Sequence, residues 1–338
     1  MGLEALNKDW PDTQTQEACK KKGTFISITE IELNTNTQRE PAGRFRGRFG
    51  NYGTLIFLHL PKTAGTTLRG IIERQYRRSL ICRAYPSVER TLKSEQIGAL
   101  PAETIGKIGL IEGHIEFGWH TVLPQKTVYL TMLREPIDRV ISLYNYIKRD
   151  VNHPLYNVVR GGAMGIEDFL KRRINIDAIN GQTYWLSGGL DTDVQSVGAD
   201  ALQKAKDNLM EFFPAVGIQE RFDESLVLFK RVFNWRWVYY SSKNVAASRP
   251  SRRTMPDRII RSIQDLNQLD MDLYRFALKR FEGLVISESN EFESEVAHFQ
   301  VANRTYGRLF SPLFESSPRD FARDAYSEAR LLIKVLKS

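Results

Sequence analysis

Seven residues, almost all apolar, run from Thr54 to Leu60 and stop at Pro61, and the small-residue turn Lys62-Thr-Ala-Gly-Thr-Thr67 follows at once. An apolar run of this length reads as a strand buried on both faces, the usual environment of a strand in a parallel sheet. The next run, Leu68 to Tyr76, puts Leu68, Ile71, Ile72 and Tyr76 on one helical face. Strand, tight turn and helix N-terminus together hold an anion, because the first N–H groups of a helix lack intrahelical acceptors and its dipole is positive there. Lys62 adds a full charge, and three Thr hydroxyls add donors. The phosphate loop of ATP and GTP hydrolases, G-x-x-x-x-G-K-[ST], has its lysine after the second glycine. Lys62 precedes Gly65 instead, so such a hydrolase is not the first reading.

A second strand-to-helix unit follows. Thr127 to Leu133 reads as another buried strand, and Pro136 suits the first turn of the helix after it. Val140, Ile141, Tyr144 and Ile147 line one face of that helix. Arg134 falls at the C-terminal end of the strand, where open α/β sheets bind ligands. Ser142 comes eight residues later, so the two reach one phosphate only if the helix packs beside the strand end. Arg139 suits a surface ion pair with Glu135 or Asp138 equally well.

Pro61-Lys-Thr-Ala-Gly-Thr-Thr67 after a buried strand resembles the 5′-phosphosulfate loop of sulfotransferases that use 3′-phosphoadenosine 5′-phosphosulfate (PAPS) as donor. Arg134 with Ser142 resembles their 3′-phosphate site. Glu112-Gly-His114, behind the strand-like Ile108 to Ile111, resembles the His-Gly-His stretch of heparan sulfate 2-O-sulfotransferases. Val216 to Ser225, Lys243-Asn-Val245 and Asp270 to Tyr274 are also similar to that broad family, so the similarity covers residues 54 to 285. Position 112 departs from the pattern by carrying Glu, which leaves the identity of the base open.

The resemblance implies a P-loop-NTPase-like α/β fold, with a central parallel sheet flanked by helices, and sulfuryl transfer from PAPS to a hydroxyl, most naturally of a carbohydrate. It implies that Lys62 neutralises the departing bridging oxygen while Thr63, Ala64, Gly65, Thr66 and Thr67 hold the 5′-phosphate through backbone and hydroxyl donors. Arg134 and Ser142 would hold the 3′-phosphate. Arg252 and Arg253, in the basic loop Ser248 to Thr254, would close over the nucleotide or meet an acidic acceptor. No metal is implied, since these cations supply the positive charge.

An attacking hydroxyl must lose its proton, and a neutral His suits that role. His114 is the first candidate and Glu112 the second. If the strand runs through 114, both side chains share a face, one as base and the other as its orienting partner. His59, within the first strand, reads as core; His120 is an alternative base, and His153 lies in a polar stretch that lines the cleft or faces solvent. Asn180, Gln182, Thr183 and Tyr184 resemble a family stretch near nucleotide or acceptor, with no role assigned. Trp185, Trp235 and Trp237 suit either the core or sugar stacking.

The chain has 338 residues and a net charge of +8, enough length for a sizeable core and a balance that suits anionic ligands. No zinc spacing, helix-turn-helix or RNP-like strand accompanies the charge, so nucleic acid is not implied. No run approaches the ~18 apolar residues of a membrane span, and Met1 to Lys22 has no apolar signal core. With two cysteines, Cys19 and Cys82, a reducing cytoplasm is the simplest compartment.

Three regions are expected: a polar, partly disordered extension over 1–52 with one strand at Thr24 to Ile28, a sulfotransferase-like domain over 53–286, and a helical extension over 287–338. Within the domain, further strands are expected at Ala215 to Gln219 and Trp237 to Ser241. Helices are expected near Gly165 to Arg173, Asp200 to Phe213, Glu224 to Phe233, Pro256 to Asn267 and Met271 to Phe281, with a loop around Gly181 and Gly188-Gly189. A last helix, Ser317 to Lys337, has an apolar face that suits packing on the core, with peripheral membrane contact as the alternative. Two other functions fit less of the pattern: a nucleotide-dependent kinase with an atypical loop, and a non-catalytic nucleotide-binding module.

Overall fold

The computed structural model describes residues 45–47, 50–85, 94–161, 164–189, 197–241, 252–288 and 291–310. A short antiparallel hairpin, β1 (Phe45–Gly47) and β2 (Gly50–Tyr52), leads in. It lies inside the stretch read as a polar extension. Strand β3 (Thr54–Leu58) and helix α1 (Gly65–Glu73) follow, then strand β4 (Ile81–Ala84), short helices α2 (Ser94–Gly98) and α3 (Ala102–Ile105), and β5 (Leu110–Gly113). Strand β6 (Thr127–Leu133) feeds α4 (Pro136–Ile147), then α5 (Ile166–Lys171), α6 (Gly181–Ser187) and α7 (Ala199–Phe212). Strand β7 (Val216–Ile218) completes the sheet, and α8 (Phe222–Phe233), α9 (Asp257–Leu266), α10 (Gln268–Ser287) and α11 (Glu291–Phe310) close the described chain.

The five longer-range strands pair in the order β4–β5–β3–β6–β7, every pair parallel. This is the α/β architecture with a central parallel sheet expected from the sequence. Its central strand β3 is buried along its whole length, as its apolar run requires. The C-terminal ends of β3, β5 and β6 lie side by side, so Lys62, His114 and Arg134, which follow them, gather at one edge of the sheet. Ile137, Val140, Ile141 and Tyr144 of α4 pack with Phe169, Leu170 and Ile263 in a second apolar cluster.

Trp237 to Ser241 forms no strand. Its backbone is held by side chains: Gln75 donates to the Trp237 carbonyl at 2.8 Å, Arg74 donates to the Tyr239 carbonyl, and Tyr240 N–H donates to Asn303 Oδ1 at 2.8 Å. The expected loop at Gly181 is instead helix α6. It starts after the left-handed Asn180 (φ 50°) and ends at the left-handed Gly188 (φ 102°), the residue type best suited to such a C-terminus. The strand expected at Thr24 to Ile28, the basic stretch up to Ser251, and the helix at Ser317 to Lys337 lie outside the described residues.

Arg139 is not a surface residue. It is fully buried and donates to the Asp177 carbonyl at 2.5 Å and to Asp270 Oδ2 at 3.3 Å. Asp270, also fully buried, caps α6: Oδ2 accepts from Gln182 N–H at 3.1 Å, and Oδ1 accepts from Thr183 N–H and Thr183 Oγ1, both at 2.8 Å. The charge pair thus ties α4, α6 and α10 together, with the aspartate at the positive end of α6. Truncating one partner of a buried pair leaves the other charge uncompensated. Asp270→Ala is expected to cost about 3–5 kcal/mol, read as a lower urea midpoint for unfolding.

Candidate active site

The turn between β3 and α1 is built for an anion. Lys62 (φ 69°) and Ala64 (φ 63°) both adopt left-handed backbone, at about 1–3 kcal/mol each for residues other than glycine. Alternating backbone of this kind turns successive N–H groups inward as a concave nest. The N–H groups of Thr63, Ala64, Gly65 and Thr66 have no acceptor among the described residues. Ala64 caps α1 without a side-chain bond, so no described residue competes for that end of the helix. One expected donor is lost: Thr63 is buried and its hydroxyl donates to the Leu60 carbonyl at 2.9 Å, leaving only its N–H for a ligand. Thr66 is exposed and Thr67 half-buried. The Lys62 ammonium lies 4.0 Å from the centre of the Tyr146 ring on α4.

Gly65 is required by contact, not by its dihedral angles. A Cβ at this position would lie 1.9 Å from Cδ2 and Nε2 of His59. His59, one residue past β3, therefore sets the Cδ2–Nε2 side of its ring against the turn at Gly65. Its Nδ1 meets the Tyr85 hydroxyl at 2.9 Å, and its ring centre is 4.4 Å from that of His114. Burial, helped by His114, Arg69 and Lys62, holds His59 well below the ordinary histidine value, so it is neutral at pH 7.

His114 is half-buried just beyond β5. Its Nδ1 stands 2.7 Å from the His59 carbonyl oxygen. A carbonyl only accepts, so neutral His114 carries its proton on Nδ1 and leaves Nε2 with a bare lone pair. No described residue hydrogen-bonds Nε2. Burial first, then the charges of Arg69 and Lys62, lower the His114 pKa against the bond to His59 and the pull of Asp177. A neutral imidazole with an open Nε2 is a general base in its working state.

The strand stops at Gly113, and Glu112 does not orient His114. Glu112 is fully buried between Arg83, 3.3 Å away, and Glu73. Arg83 makes its hydrogen bond to Glu73 at 3.0 Å, so Glu112 is the carboxyl that keeps its proton. Burial, reinforced by Glu73, pushes Glu112 up to about 9. Turned toward Arg83 and Glu73, the Glu112 carboxyl makes no hydrogen bond to His114 among the described residues.

Arg134, at the end of β6, reaches back to the turn: its Nη1 donates to the Lys62 carbonyl at 3.1 Å. Gln182 of α6 holds the Arg134 backbone from both sides, accepting from its N–H and donating to its carbonyl, each at 3.0 Å. Ser142 is half-buried on α4, two turns into the helix. Arg252 and Arg253 sit in a short exposed turn, and Arg252 comes within 3.8 Å of Glu135, the neighbour of Arg134. The structure thus brings Lys62, the 63–67 turn, His114 and Arg134 together. His120 lies elsewhere, bonded to Tyr129 at 3.0 Å, and Trp235 is in the core.

Gln182 has no role legible from its sequence context beyond its place in a stretch resembling the family. The close approach of His59 to Gly65 has no local signature either.

A parallel α/β sheet with a turn of unbonded N–H groups, a lysine and an imidazole at the ends of its central strands is thereby described. The family model for galactose-3-O-sulfotransferase matches residues 32–310, and the chain belongs to that family. Mouse galactose-3-O-sulfotransferase 3 is 29% identical over 249 residues, covering 65% of this chain and 54% of that protein. Drosophila melanogaster heparin sulfate O-sulfotransferase is 28% identical over 195 residues, 52% of this chain and 55% of that protein. Human heparan-sulfate 6-O-sulfotransferase 1 is 24% identical over 277 residues, 68% of this chain and 65% of that protein. The chain spans about half the length of the first two relatives. Among solved structures, a mouse sulfotransferase complexed with PAP aligns over 78% of this chain and 89% of its own, at 12% identity and a TM-score of 0.33.

Two outcomes follow from the packing. Gly65→Ala is expected to abolish nucleotide binding in calorimetry, because the methyl and His59 cannot both keep their places. Glu112→Gln is expected to raise the melting temperature at pH 8 relative to wild type. A folded-state pKa above the unfolded value makes wild-type stability fall as pH rises from about 4.5 toward about 9, and the glutamine removes that slope.

Proposed function

We propose that the protein transfers the sulfuryl group of PAPS to a hydroxyl of a carbohydrate acceptor. The observation that carries this reading is His114 Nε2, unbonded among the described residues and set by the His59 carbonyl beside a turn whose N–H groups, also unbonded among those residues, and whose lysine suit a phosphate. The acceptor oxygen attacks sulfur while His114 Nε2 takes its proton. The bond from sulfur to the bridging oxygen breaks, and its electron pair stays with the 5′-phosphate. Lys62 neutralises that oxygen, and the N–H groups of residues 63–66 hold the phosphate. Lys62 leaves the face of Tyr146 to do so, exchanging a cation–π contact for a full anion. Arg134 and Ser142 receive the 3′-phosphate, with Arg252 and Arg253 as the outer cations.

A carbohydrate acceptor is supported by the relatives, whose names specify galactose, heparin sulfate or heparan sulfate. A kinase of this architecture needs an ionised carboxylate on a strand beside the phosphate turn to hold magnesium. Glu112 is the carboxyl on β5, and its burial against Arg83 does not suit that task. For the compartment, the reading remains a reducing cytoplasm, on the cysteine count. No described helix is long and apolar enough to cross a membrane.

Lys62→Ala is expected to keep the fold and lower kcat by about 10²–10³-fold, as loss of one transition-state charge partner does. The pH profile of kcat/KM should show an acidic limb whose midpoint lies below 6.5, since neutral His114 is the active form and its pKa is lowered. His114→Ala should remove that limb and about 10²–10⁴-fold of rate. A limb left in place by His114→Ala would assign the base to another group.

A further inference from the structure

The turn after α4 brings a second histidine against the Tyr146 ring. His153 is half-buried and meets the Tyr146 ring edge-on, with centres 5.7 Å apart, and Tyr146 is the ring beneath the Lys62 ammonium. The turn is fastened by its own bonds: Asn152 N–H to Asp150 Oδ1 at 3.1 Å, His153 N–H to the Asp150 carbonyl at 3.0 Å, and Tyr156 N–H to the His153 carbonyl at 2.9 Å. Leu155 N–H donates to His153 Nδ1 at 3.1 Å. Nδ1 is therefore the acceptor nitrogen, and neutral His153 carries its proton on Nε2. This is the opposite tautomer to that of His114. His153 cannot take a proton at Nε2, but it can donate one hydrogen bond from it.

Asp177 is the acid whose charge acts on both histidines. Its backbone is clamped by Arg139 and by Asn175 Oδ1, and its Oδ1 accepts from the Trp185 indole N–H at 2.7 Å. Its field reaches both His114 and His153, and so does that of Lys62. Asp150 also faces His153. The Trp185 indole N–H is thus used in orienting Asp177. Exposed apolar surface borders the same turn at Val151 (66% exposed) and Tyr146 (37%), which suits the apolar face of a sugar ring.

We propose that His153 and Asp177 are acceptor-binding residues: His153 Nε2–H donates to a hydroxyl neighbouring the one attacked, and Asp177 Oδ2 accepts from a hydroxyl of the same acceptor. This rests on the transfer reaction above. It divides the work between two histidines of opposite tautomer, His114 receiving a proton and His153 recognising a hydroxyl group that does not react. The acceptor class is a polyol with hydroxyls on adjacent carbons, as in a pyranoside.

The test uses the full chain with PAPS and two probe acceptors, lactose and a desulfated heparin oligosaccharide. His153→Ala should raise the acceptor KM at least tenfold, leave the affinity for adenosine 3′,5′-bisphosphate unchanged, and leave the acidic limb of the pH profile in place. His153→Gln, which keeps an N–H where Nε2–H stands, should recover most of the loss. Asp177→Asn, which still accepts from Trp185, should raise KM in the same way. Unchanged acceptor KM in His153→Ala overturns the proposal, as does loss of the acidic limb. Nitrogen-15 NMR of the histidine rings is a second test that needs no acceptor: protonated Nε2 is expected for His153 and protonated Nδ1 for His114. A protonated Nδ1 in His153 overturns the proposal. Wild-type protein that binds the bisphosphate but sulfates neither probe would count against the carbohydrate reading instead, with the ring tautomer still deciding the role of His153.

Discussion

The contact between the His59 ring and Gly65 governs the site. Because no Cβ stands at 65, the ring lies against the first turn of α1, and the end of β3 is drawn tight to the phosphate turn. The same residue offers its carbonyl to His114 Nδ1 and its ring to the His114 ring. One backbone position thereby sets both the anion nest and the tautomer of the base. His59 itself is too desolvated to titrate near pH 7, so it acts as a fixed, neutral spacer between the two. A charged His59 would stand beside Lys62 and Arg69, and their repulsion adds to the burial that keeps it neutral.

A second, deeper set of bonds holds the other half. Arg139 and Asp270 are an ion pair taken out of water, and such a pair is worth having mainly for where it places things. Asp270 caps α6, α6 carries Gln182, and Gln182 grips the backbone of Arg134. Arg139 also fixes the backbone of Asp177, whose charge acts on both His114 and His153. The proposed phosphate and acceptor sites therefore share one buried scaffold, reached from α4, α6 and α10.

What can be seen in the sequence follows burial. Strands β3 and β6 and the helices behind them announce themselves as apolar runs with a periodic sequel, and Lys62, His114 and Arg134 are legible because they stand at the ends of such runs. Strand β4, four residues with an exposed Arg83, has no such run. Helix α6 is hidden by Gly181 and Gly188-Gly189, since its start is capped by Asp270, almost ninety residues away in the chain. Arg139 has the sequence look of a surface residue because Glu135 and Asp138 are near, while its real partner is 131 residues distant. The pairing expected of Glu112 with His114 fails because the strand ends at Gly113 and the carboxyl turns to Arg83 and Glu73. The misses at α6, Arg139 and Glu112 are long-range contacts overriding a local pattern.

The central claim is that the turn at 62–67 and Arg134 are shaped for a nucleotide phosphorylated at both 3′ and 5′ positions. Isothermal titration of the full chain with adenosine 3′,5′-bisphosphate, beside AMP and ATP and in the presence of EDTA, measures this directly. Micromolar binding of the bisphosphate, with AMP and ATP much weaker, is the expected result. No binding of the bisphosphate, or binding of ATP that returns only with magnesium, would contradict it.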